Sequence, residues 1–223
     1  MNTQPLNDYT TSWAGDYQNE VSKLKLFQKG GISWDLEKKQ KFVKTFYHIR
    51  GHFYKFLWTL GVLATDTRFK KVILDNFEEE FGGGGPTHEK LYFDFAEYFE
   101  VDIKSEMVSE ENNFEYIKKY NTGHILFLLK NNWNTKWGAF SAYEKLDNVD
   151  YTNLGLIAES MGANGKGMTF FRVHQDAGHY DMTSKLLEEI WDTDPQSVKA
   201  GFEFVAEHQL KMWRELDKEL AGS

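Results

Sequence analysis

The sequence predicts an all-α domain, and three observations lead there. Proline occurs only at Pro5, Pro86 and Pro195, so the long stretches between them lack the residue that breaks a helix by fixing φ and losing its N–H. Apolar residues recur at steps of three and four, whereas the strict alternation of a half-buried strand is hard to find. The chain of 223 residues also carries 18 Phe, 11 Tyr and 7 Trp, large side chains suited to a helical core and to lining a pocket.

The elements follow in order. Gly30–Gly31 ends the first helix. Ser33 caps the second, with Asp35 and Glu37 in its first turn. Its apolar stripe runs Phe42, Phe46, Ile49, Phe53, Phe56 and Leu60, helical spacing sustained for about five turns. Further helical segments lie near 66–81, 87–101, 111–132, 135–147, 151–162 and 167–191. Gly82 to Gly85 with Pro86 makes one abrupt turn and Gly162 to Gly167 another. Asp194–Pro195 starts the last helix, whose apolar side is Val198, Phe202, Val205, Leu210, Trp213 and Leu216. No repeat, low-complexity linker or shift of composition interrupts the chain. The expectation is a single domain over residues 1–223, of seven to nine helices.

Composition excludes several classes. With 41% hydrophobic and 27% charged residues the chain is neither disordered nor membrane-spanning, and no apolar run reaches about 18 residues. The absence of cysteine removes disulfides, zinc ribbons and thiolate iron–sulfur sites. Any metal must be held by His, Asp and Glu. A formal net charge of -8 argues against a nucleic-acid partner. Met1 to Tyr9 has no basic-then-apolar pattern, so the expected location is cytoplasmic.

The seven histidines are His48, His52, His88, His124, His174, His179 and His208. None follows a Glu by three positions, so the paired Glu-x-x-His of ferritin-like diiron proteins is missing. Asp176-x-x-His179 stands alone. His-Glu-x-x-His and the glycine-rich phosphate loops are missing as well. A wider constellation does occur. Glu78, Glu79 and Glu80 end one helix and His88 opens the next, Glu144 sits in a third, and His174, Asp176, His179 and Asp181 crowd a fourth segment. Such carboxylates and imidazoles would suit a pair of iron or manganese ions. The plainer reading is that acids at a helix end are solvated and that such histidines are half-buried and hydrogen-bonded. His48 and His52 form an i, i+4 pair, for which partly exposed helix residues is the preferred reading. His124 and His208 are read the same way.

The run from Asn76 through Glu80 and the four glycines to His88, then Glu144, then Phe170-Phe171-Arg-Val-His174, resembles the haem-oxygenase-like diiron oxidases and oxygenases. These are relatives of the TenA thiaminases and of the pyrroloquinoline quinone synthase PqqC. The likeness spans about residues 40 to 215. It implies a seven-helix haem-oxygenase-like bundle with additional short helices, two Fe ions cycling between Fe2+ and Fe3+, and O2 as co-substrate. Carried over by position, Glu80, His88, Glu144 and His174 are metal ligands. The family's third ligand helix reads His, three residues, Asp, two residues, His, and here those positions are His174, Gly178 and Asp181. On a regular helix Asp181 shares a face with His174. Alternatively a π-bulge brings His179 onto that face. The expected ligands are therefore Glu80, His88, Glu144, His174, His179 and Asp181, with Asp176 as the remaining candidate.

Relatives of this kind oxidise small metabolites in natural-product biosynthesis, and some use an external electron donor or form homodimers. Arg50, beside the apolar stripe, is read either as a clamp for a substrate carboxylate or as an ordinary salt bridge. Trp137, Phe140, Tyr143 and Phe171 are read as pocket residues for a flat or apolar group. Together these favour an amino acid as substrate, with oxidative rearrangement of a tryptophan derivative to a nitrile as one form of the chemistry. Two alternatives remain open: a metal-independent PqqC-like oxidase, and a non-catalytic interaction module. The missing cysteine speaks against a TenA-type hydrolase.

Overall fold

The structure, a computed structural model, describes residues 4–28, 33–176 and 179–221, apart from the side chains of 176, 179 and 221. The stripe from Phe42 to Leu60 is buried along its whole length, yet it belongs to two helices, α2 (Leu36–Arg50) and α3 (Phe53–Leu63). Gly51 and His52 both keep right-handed helical dihedrals, so the break at the poor helix former Gly51 leaves the apolar face in register. The cap of α2 is Asp35, which accepts from Lys38 N at 2.9 Å, two residues beyond the expected Ser33. Before these lie α1 (Leu6–Val21) and a short 3₁₀ turn at Lys25–Phe27. Thus α1 stops well short of Gly30–Gly31, which lie outside the described residues.

Next come α4 (Thr67–Glu80), α5 (His88–Tyr98), α6 (Ile103–Ser109) and α7 (Glu115–Lys130). The short α6, capped by Asp102, lies in the gap between the segments expected at 87–101 and 111–132. The segments expected at 135–147 and 151–162 form one helix, α8 (Trp133–Ser160). Nothing between them breaks a helix, and Asp147 and Asp150, at and beside the expected gap, line a cavity. The segment 167–191 is divided into a 3₁₀ turn at Gly165–Met168, α9 (Thr169–Asp176) and α10 (His179–Thr193). The bulge considered at Gly178 falls outside the described residues. The last helix, α11 (Pro195–Ala221), begins after Asp194, whose carboxylate accepts from Ser197 N at 3.2 Å.

Buried on most of its length, α8 is the central helix and α11 lies directly against it. Two glycines permit that approach. A Cβ on Gly201 would sit 2.5 Å from Ala139 N and from Thr135 O, and one on Gly138 would sit 2.9 Å from Val198 O. Among the described residues there is no strand, and no helix is long and apolar enough to cross a membrane.

Of the histidines expected to be partly exposed, His48, His52 and His124 are buried in the core, while His208 is half-buried as expected. His48 is buried and bonds Glu106 at 2.9 Å. His52, 2% exposed, donates Nδ1–H to Ile49 O at 2.9 Å. Its Nε2 lies 3.0 Å from Nδ1 of His124, and the two rings stack. His208 is half-buried and donates to Tyr120 O at 3.0 Å. A partner 72 residues away cannot be read from helical spacing, which is why the sequence placed these side chains outside.

Two expectations follow. Gly201→Ala should destabilise the fold by about 1–3 kcal/mol, because backbone rather than a movable side chain meets the new methyl; urea unfolding would measure it. Burial, opposed by the Ile49 carbonyl bond, pushes His52 down to about 4. Its contribution is then fully present above about pH 6.5 and lost as pH falls toward 4, on the order of 3 kcal/mol. The unfolding midpoint of His52→Gln should therefore drop less than that of wild type between pH 7 and pH 4.5.

Candidate metal centre

Three helix ends build the centre. On α4, Phe69, Ile73, Phe77 and Glu80 share the inward face, so Glu80 is buried at 2% exposure while Glu78 and Glu79 point to solvent. The chain then reverses through Gly82, Gly83 and Gly84, all at positive φ, which only glycine adopts without strain. Gly83 N closes onto Glu78 O at 2.8 Å. Thr87 caps α5 by accepting from Lys90 N at 3.0 Å, leaving His88 as the first helical residue, buried beside Glu80. On α9, His174 donates Nδ1–H to Phe170 O at 2.6 Å. That fixes the tautomer and leaves a lone pair on Nε2.

One donor atom from each of Glu80, His88 and His174 lies within 4.8 Å of the others. His88 Nδ1 is buried without a hydrogen-bond partner; it sits 3.2 Å from Glu80 Oε1 but outside hydrogen-bond geometry. The His88 and His174 rings are 4.5 Å apart, and Tyr151 stacks on His174 at 4.1 Å. Burial, together with the Arg50 charge and His88, keeps His174 neutral by holding its pKa well below the usual value. One carboxylate, an imidazole lone pair and an orphaned buried ring nitrogen form a donor set that fits iron or a similar divalent ion.

Arg50 is the nearest cation. Its Nη2 lies 2.6 and 2.9 Å from the two oxygens of Glu80 and 3.3 Å from His174 Nε2. Burial alone would raise the Glu80 pKa, but Arg50, helped by His88 and His174, holds it far below the usual carboxylate range.

Beyond Arg50 lies a cavity of about 30 Å³, room for one or two waters. Its walls include Arg50, Tyr143, Asp147, Asp150 and Tyr151. Asp150 binds Tyr17 Oη at 3.0 Å and Trp213 Nε1 at 3.2 Å, and also accepts from Gln209. Burial outweighs those bonds and lifts its pKa to about 7. Burial likewise pushes Asp147 and Glu144 well above the carboxylate range, with Asp150 and Glu80 adding to it at Asp147, and Asp147 and Glu80 at Glu144. A second cavity, about 50 Å³, lies on the other side of Arg50 beside Tyr54, His88 and Glu89.

The structure thus brings together Glu80, His88 and His174, with Arg50 and Tyr143 along the adjoining cavity. Glu144 is buried one helical turn before Asp147. Asp181 is exposed in the first turn of α10 and is not among the three residues whose donor atoms converge. The side chains of Asp176 and His179 lie outside the described residues. Trp137, Phe140 and Phe171 are fully buried in ring-to-ring packing and do not line the described cavities. Trp137 donates to Thr183 O at 3.3 Å and Phe171 packs edge-on against Phe95, whereas Tyr143, also expected at the pocket, and Tyr151 line the first cavity. Asp147, Asp150 and Tyr151 went unnoticed in the sequence. The available signal was Glu144, Asp147 and Tyr151 at i, i+3 and i+7, one face of a single helix.

A crystal structure described as a domain of unknown function with a heme oxygenase-like fold, from Shewanella denitrificans OS217, superposes with a TM-score of 0.77. It shares 16% sequence identity, over 98% of this chain and 94% of that one, and it establishes the haem-oxygenase-like fold. No curated protein matches. The profile of a family described as iron-containing redox enzymes matches residues 40–209, and the chain belongs to that family.

Proposed function

We propose that this protein is an O2-dependent non-haem oxidoreductase holding two iron ions, and that its substrate is a small amino acid-like metabolite. The convergence of Glu80, His88 and His174 on one buried point, in a chain of the iron-containing redox family, carries the reading. These three would hold one iron; Glu144, with His179, would serve the second. Bound iron would supply the redox chemistry by which O2 oxidises the substrate.

The chain's own residues have separable tasks. Glu80 brings a full negative charge, since its carboxyl stays ionised. The Phe170 carbonyl holds His174 as the Nδ1–H tautomer, and Tyr151 fixes its ring plane. Asp150, with a pKa near 7, can hold or release a proton at its carboxyl in the cavity.

The charges around the cavity support a zwitterionic substrate. Arg50 keeps two buried nitrogens, Nε and Nη1, without hydrogen-bond partners, donors that a carboxylate would satisfy. Asp147, across the same cavity, offers an acceptor for an ammonium group. Arg50 lines both cavities, so its side chain stands between them.

Two outcomes are expected. His88→Ala should lower bound iron by about tenfold or more with little change in helix content, because its ring nitrogen makes no structural hydrogen bond; iron analysis after anaerobic loading would show it. Asp147→Asn should weaken binding of amino acids by about tenfold or more while leaving the matching deaminated acids unaffected. Equal loss for both kinds of ligand would remove the ammonium role.

A further inference from the structure

His174 Nε2 has one in-plane lone pair, and two cations have a claim on it. The Nδ1–H is committed to the Phe170 carbonyl at 2.6 Å, so Nε2 carries no hydrogen. Arginine has no acceptor, hence the 3.3 Å contact is Arg50 Nη2–H donating to that lone pair. The same nitrogen lies 2.6 and 2.9 Å from both oxygens of Glu80. A lone pair that accepts a hydrogen bond is not available to a metal. Arg50 in this position and a metal on His174 therefore exclude one another.

We propose that Arg50 is the resident cation of the metal-free protein, a built-in competitor that the metal must displace from Glu80 and His174. This rests on the metal centre proposed above. Such a cation is needed because an ionised carboxylate at 2% exposure is strongly unfavourable without a counter-charge. It is also displaceable. Arg50 reaches these partners through Nη2 alone, and its Nε and Nη1 are buried without partners, in place of the two-pronged fork that holds an arginine most firmly. The rings of Phe53, Tyr54 and Phe170, at 5.4, 5.6 and 5.9 Å from the guanidinium carbon, favour the cation without fixing its direction. Cavities of about 30 and 50 Å³ flank it. Asp147 lines the inner one and takes up the released charge. The metal thus reorganises the cavity by freeing its one cationic side chain among the described lining residues.

The test uses wild type and Arg50→Gln, titrated anaerobically with Co(II), which binds without turnover, and followed by calorimetry and thermal unfolding. Metal-free Arg50→Gln should unfold at a lower temperature than wild type, because Glu80 has lost its counter-charge. Co(II) should bind the variant about tenfold or more tightly than wild type and raise its midpoint by more. Binding to wild type with equal or weaker binding to the variant would overturn the competitor role and leave the metal centre standing. A variant still unfolded in saturating Co(II) would overturn it too, since the metal would have failed to replace the guanidinium. Absence of binding to either protein would bring down the metal centre itself.

Discussion

A full negative charge on Glu80, buried in a core built largely from aromatic rings, is the constraint on which the rest of the site depends. Its position is not negotiable locally: Phe69, Ile73 and Phe77 turn the α4 face inward, and the glycine turn that follows sends His88 back beside it. Once there, the carboxylate must be neutralised, and Arg50 does so from the end of α2. The positions of His88 and His174 then follow from sharing the same small volume with two opposite charges.

On α8 the same problem has the opposite solution. Glu144, Asp147 and Asp150 lie on one side of a buried helix, and burial pushes all three toward the protonated form. One ionised carboxylate, Glu80, therefore shares a space of one or two water molecules with Asp147 and Asp150, whose pKa values burial raises. Carboxyls whose pKa values are pushed apart within one cavity are an arrangement that proton-coupled chemistry uses. A cation entering the centre would draw these carboxyls toward ionisation, so metal, proton and Arg50 are linked through one electrostatic balance.

Most of the fold was legible because it rests on local periodicity. The buried faces of α2, α3 and α11 are the stripes that spacing marks, and Pro195, the run Gly82 to Gly85 and the run Gly162 to Gly167 fall at real boundaries. What failed was non-local. His52 finds His124, and Arg50 finds Glu80, through packing between helices, which no local pattern records. The gap between the segments expected at 135–147 and 151–162 is continuous helix, where Asp147 and Asp150 line a cavity rather than a loop. Aromatic richness pointed to a pocket, yet Trp137, Phe140 and Phe171 fill the core. Glu80, His88 and His174 stand in the constellation of acids and histidines that the residues show, and the resemblance singled them out as ligands, since their spacings alone match none of the simple metal motifs.

The most direct test is a crystal of the protein grown anaerobically with Fe(II), with anomalous data collected on both sides of the iron edge. The account predicts an iron peak among Glu80, His88 and His174, with the Arg50 guanidinium moved off both Glu80 and His174. No iron peak among those three residues, or Arg50 still bonded to His174 beside a fully occupied iron, would contradict it.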